Sequence, residues 1–96
     1  MTVRYPKFED LVIRLGYLLE GGLTRKSEKA AVRTLKKLRK IGCRFMFAES
    51  GIGVFLWIIK PTGGGEVHRS IPASGTVENL LRRAGIHVRA ANSVGR

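Results

Sequence analysis

Apolar residues first recur at helical spacing: Phe8, Leu11, Val12, Leu15 and Leu18 fall on one face of a stretch from about Lys7 to Glu20. Pro6 suits a first helical position, Glu9 and Asp10 complement the positive end of the helix dipole, and Gly21-Gly22 ends the run. A second helix is predicted from Thr24 or Ser27 as N-cap to Gly42, a residue suited to the position just past a helix end. Projected at about 100° per residue, Ala31, Leu35 and Leu38 share one side, while Arg25, Lys26, Lys29, Arg33, Lys36, Lys37 and Lys40 fill an opposing arc of about 120°.

The period changes after Gly42. Cys43 to Ala48 reads as a strand leading to the turn Ser50-Gly51-Ile52-Gly53. Val54 to Ile59 is an apolar run too short for a buried helix and rich in β-formers, which makes it the expected central strand. Pro61 to Gly65 reads as a flexible turn. Glu66 to Ile71 then sets Val67, Arg69 and Ile71 against Glu66, His68 and Ser70, the alternation of a half-exposed third strand that Pro72 stops. Thr76 is the expected N-cap of a third helix with Val77, Leu80, Leu81 and Ala84 inward, closed by Gly85 with Ile86 as its apolar contact. Ile86 to Ala90 adds a short extended piece. No internal repeat is present. The expected fold is α+β, ordered α-α-β-β-β-α, with helices packed on one face of a three-stranded antiparallel sheet.

Ninety-six residues make a single domain, assigned to residues 1–91 with 92–96 as a loose tail, because ordinary domains run to about 100 to 200 residues. A hydrophobic fraction of 44% is enough for a core and excludes wholesale disorder. No apolar run approaches the ~20 residues of a membrane span, and no secretory signal precedes the charged Lys7, Glu9 and Asp10, so an intracellular, cytoplasmic protein is expected. The net charge of +11 changes the picture most. Residues 24–48 hold nine cations (Arg25, Lys26, Lys29, Arg33, Lys36, Lys37, Arg39, Lys40 and Arg44) against Glu28 alone, so most of the excess sits on one element. A solvated helix face normally interleaves acids for pairing one turn apart, and this one does not. Phosphates are the expected counter-charge, with Arg44, Arg82 and Arg83 as outer contacts.

The stretch Leu35-Lys36-Lys37-Leu38-Arg39-Lys40-Ile41-Gly42 and the ending Ile71-Pro72, Gly75-Thr76 and Leu80-Leu81-Arg82-Arg83-Ala84-Gly85-Ile86 resemble HicA-type messenger-RNA interferases. That family shares its element order with double-stranded-RNA-binding domains, and the likeness spans roughly Ala30 to Val88. It implies an RNA ligand. The family's catalytic histidine lies in the first hairpin, where this chain has Gly51-Ile52-Gly53. The double-stranded-RNA family places lysines at the start of its last helix, where this chain has Thr76-Val77-Glu78-Asn79. Ser27, Val32, Leu35, Leu38 and Gly42 followed by a hairpin also resemble the recognition helix and wing of a winged-helix DNA-binding domain, which requires a middle helix where only Gly21-Gly22-Leu23 stands.

Candidate chemistry elsewhere is sparse. His68 and His87 have no paired acid or base at motif spacing, and the lone Cys43 builds neither a disulfide nor a zinc site. Gly63-Gly64-Gly65 lacks the Lys-Ser/Thr of a phosphate loop. Trp57 with Phe45 and Phe47 reads either as core or as a platform for stacking bases. No catalytic residue, metal or cofactor is expected. The function expected is non-catalytic nucleic-acid binding, RNA favoured over DNA. The alternatives are a winged-helix-like regulator, a HicA-like ribonuclease, and a module for an acidic protein partner.

Overall fold

The computed structural model describes residues 6–90 and the side chains of residues 7–88. Three helices and three long strands follow one another as α1 (Pro6–Glu20), α2 (Arg25–Lys40), β1 (Arg44–Ser50), β2 (Gly53–Thr62), β3 (Gly65–Pro72) and α3 (Gly75–Arg83). The expected α-α-β-β-β-α order and antiparallel sheet are present. A two-residue β4 (Arg89–Ala90) runs parallel to β1 and extends the sheet to the order β3-β2-β1-β4. The assigned tail lies outside the described residues.

Both ends of α2 follow from local chemistry. The Thr24 hydroxyl accepts from the Ser27 N–H at 3.2 Å, and the Ser27 hydroxyl accepts from the Thr24 N–H at 2.7 Å, a reciprocal capping box. The two candidate caps are therefore partners, with Thr24 as the cap itself. At the other end Gly42 takes φ +96°, a conformation that strains any residue with a Cβ, and its N–H donates to Arg39 O at 2.9 Å. The Cys43 N–H then reaches back to Leu38 O at 3.1 Å, completing a Schellman turn that aims the chain into β1. The same arrangement recurs after α3, where the Ile86 N–H donates to Leu81 O at 2.9 Å.

The N-cap of α3 is Ser74, not Thr76. Its carbonyl accepts from the Glu78 N–H at 3.2 Å, while its side chain makes no cap hydrogen bond. The helix thus starts two residues earlier than a cap at Thr76 would place it. β2 also runs further than expected, through Pro61 and Thr62. Proline is tolerated there because β1 begins opposite Ile59, so at Pro61 only β3 lies alongside. The turn shrinks to Gly63-Gly64, closed by the Thr62 hydroxyl, which accepts from the Gly64 N–H at 3.3 Å and donates to Gly65 O at 3.0 Å.

Register decides which side chains share a face. Phe45 lies opposite Ile58 and Phe47 opposite Leu56, which in turn lies opposite Ile71, so these residues face the helices. They join Phe8, Val12 and Leu15 of α1, Ala31, Leu35 and Leu38 of α2, and Val77, Leu80 and Leu81 of α3 in one core. The helices therefore cover one face of the sheet. The other face, opened by the alternation of the strands, carries Arg44, Met46, Phe55, Trp57, Glu66, His68 and Ser70. The suggested grouping of Trp57 with Phe45 and Phe47 is thus overturned, because one strand position separates opposite faces.

Candidate nucleic-acid interface

The inner side of α2 is fixed by Leu35 and Leu38, which are fully buried, and by Thr34, whose hydroxyl donates to Ala30 O at 2.7 Å. The opposite side is left to solvent. Arg25, Lys26, Lys29, Arg33, Lys36, Lys37 and Lys40 are all exposed, and among the described residues none of the seven forms an ion pair. With a rise of about 1.5 Å per residue, they line a ridge about 22 Å long. Arg25 and Lys26 stand beside the positive end of the helix dipole, so they add to a positive potential that the dipole already sets.

The remaining cations behave differently. Arg83 bonds Glu28 at 2.9 Å, joining the end of α3 to the first turn of α2 and offsetting the one acid near the ridge. Arg82 donates to Asn79 Oδ1 at 3.2 Å. Arg39, which the helical projection sets beside the ridge, donates to Gly85 O at 2.8 Å and so caps the carbonyl end of α3. Arg69 pairs with Glu9 of α1 at 2.8 Å. Arg83 therefore borders the ridge, whereas Arg44 projects from the open face of the sheet and pairs there with Glu66. The structure brings the seven α2 cations together and leaves Arg44 out.

The open face holds a cluster that no spacing in the sequence reveals. Glu66 accepts from Arg44 of β1 and lies 3.1 Å from His68 Nε2, and the His68 ring stands edge-on to Trp57 with centroids 6.1 Å apart. The hydrogen bond with His68, more than the Arg44 charge, holds the Glu66 carboxyl below the usual carboxylate range, against a smaller opposing effect of desolvation. Alternation along β3 put Glu66 and His68 on one side, but only the register brings Arg44 and Trp57 to them. His87 is exposed. Cys43 is buried, and desolvation pushes its thiol up, with Lys60 opposing only in part, so it packs as a small apolar group. Among the described residues no group of three or more His, Cys, Asp or Glu gathers to hold a metal ion, and no helix is long and apolar enough to cross a membrane.

Comparison with protein-family models, with curated proteins and with solved structures finds no match for this chain.

Proposed function

We propose that the protein is a non-catalytic nucleic-acid-binding domain that lays the outer face of α2 along phosphates, with structured RNA as the favoured ligand. The observation that carries this reading is the division among the cations. Arg44, Arg69 and Arg83 are paired with acids, whereas the seven on the α2 ridge have no acid partner among the described residues. Like charges gathered at i, i+3 and i+4 repel one another by a few tenths of a kcal/mol per pair, and a polyanion relieves that repulsion along the whole ridge. Arg83 is an adjoining contact. Arg44, on the far face, is not part of this surface.

The element order supports RNA over DNA. A winged-helix DNA-binding domain needs a middle helix, and only Gly21 to Thr24 separate α1 from α2. Its body would also be complete before β3 and α3, which here supply Ile71, Val77, Leu80 and Leu81 to the core. A ribonuclease of the HicA type needs a proton-transfer group in the first hairpin, where Gly51-Ile52 forms the turn and the Ser50 hydroxyl is taken up with Gly53 O and the Ile52 N–H. Gel-shift competition at fixed salt among an RNA stem-loop, a DNA duplex of the same sequence and a mixed single strand tests the reading. The stem-loop should compete best. Equal or better competition by duplex DNA overturns the RNA assignment, and uniformly weak binding of all three points to an acidic protein partner.

A further inference from the structure

We infer that the open face of the sheet is a second, separate site that takes unpaired bases of single-stranded RNA, stacked on Trp57 and Phe55. Both aromatics lie on the central strand β2, two residues and so about 6.6 Å apart, and both are half-buried with nothing from the helices above them. Met46, 38% exposed, lies opposite Trp57 on β1 and widens the apolar floor. Every base has a π-face, so such a floor accepts bases without regard to sequence.

The platform is held in place rather than loose. Arg44 of β1 bonds Glu66 of β3, Glu66 bonds His68, and His68 stands edge-on against Trp57 of β2. This relay spans three strands and restrains the Trp57 ring before any ligand arrives, which lowers the ordering cost of stacking. Arg44 and His68 also border the floor with N–H donors suited to phosphate oxygens.

Size and charge select the occupant. From Phe55 to Trp57 and across three strands the floor measures about 7 Å by 10 Å between backbones, on the order of 150 to 200 Å2 with side chains included, and it ends there because Ile59 is buried. A stable protein interface buries about 800 Å2 per partner. The floor suits one or two bases, not a second copy of the chain. The +11 net charge of the protein draws a polyanion to either face, and on this face Glu66 is offset by Arg44. The site lies across the sheet from the α2 ridge, so a paired segment and an unpaired segment of RNA would occupy opposite sides of the domain.

Trp57 is the single tryptophan of the chain and reports on its own site. Titration of the full-length protein with an unlabelled ten-nucleotide mixed-sequence RNA should quench its fluorescence saturably. Trp57→Leu should weaken that single strand by roughly 5- to 150-fold, the range for loss of one stacked base, while Trp57→Phe stays within about threefold. Both variants should bind an RNA duplex within twofold of wild type. An unquenched Trp57 in a protein that still binds duplex RNA overturns the inference and leaves the α2 reading standing. Duplex binding lost in the wild type while the single strand still quenches does the reverse. A wild-type dimer in sedimentation that Trp57→Leu converts to monomer would assign the face to a second copy and overturn the site.

Discussion

Ending the chain after Pro61 removes β3, α3 and β4, and with them the buried Ile71, Val77, Leu80, Leu81 and Ile86. Burial of a large apolar side chain is worth about 1.5 to 3 kcal/mol, so the five together contribute about 7.5 to 15 kcal/mol. A domain of this size is held by only ~5 to 10 kcal/mol in all. The removal also uncovers Leu56 and Ile58, which are fully buried against these elements and the helices, and turns β2 from a central strand into an edge. The fragment should therefore show no cooperative transition by circular dichroism on heating, and it should bind a dye for exposed apolar surface. A sharp thermal transition in the 1–61 fragment would refute the reasoning. It would mean that α1, α2 and the first hairpin form a complete core, as in a winged-helix domain.

Two smaller changes test local features. Thr24→Ala removes one half of the capping box and should cost about 1 kcal/mol, read as a fall in Tm of about 4 to 8 °C; no change in Tm would mean that the Ser27 side of the box suffices alone. The Glu66 carboxyl is held below its ordinary pKa by its hydrogen bond with His68, so it binds protons less readily in the folded state than in the unfolded one. Its contribution is present above the unfolded pKa near 4.5 and is lost as pH falls through the lower folded value. Glu66→Gln should accordingly flatten the acid limb of the stability profile and leave the limb above neutral pH unchanged; an unaltered acid limb would show that the contact contributes nothing.

Much of this architecture was legible in the chain. The α2 ridge could be read because its three determinants are local: a hydroxyl three residues from its partner at one end, a glycine at the other, and a 3.6-residue period between them. The extent of β2 was not, since Pro61 interrupts a strand only where neighbours flank it on both sides, and the stagger that leaves it one neighbour is set by the β1–β2 register. Ser74 and Thr76 are both good capping residues by local rules, and the path of β3 through Pro72 decides between them by delivering the chain to Ser74 in extended conformation, where the helix begins. The open-face cluster was hidden for the same reason. Arg44, Trp57, Glu66 and His68 are scattered over more than twenty positions, and only pairing of Arg44 with Ile59 and of Ile59 with His68 sets them side by side. Of the three aromatics read either as core or as a stacking platform, Phe45 and Phe47 went to the core, and strand parity placed Phe55 beside Trp57 instead.

The most direct test of the central claim is the salt dependence of RNA-duplex binding in the wild type and in a Lys29→Glu, Arg33→Glu, Lys36→Glu variant. All three side chains are exposed, so the variant should melt near the wild-type temperature. With four to six phosphates neutralised, log affinity of the wild type should fall against log salt with a slope of about −3 to −5. The variant should lose binding at 150 mM salt, a concentration at which screening extends over only about 8 Å and the remaining cations act one by one. A wild-type slope near zero, or a variant whose affinity stays within twofold of wild type, would contradict the assignment of α2 as the phosphate-binding face.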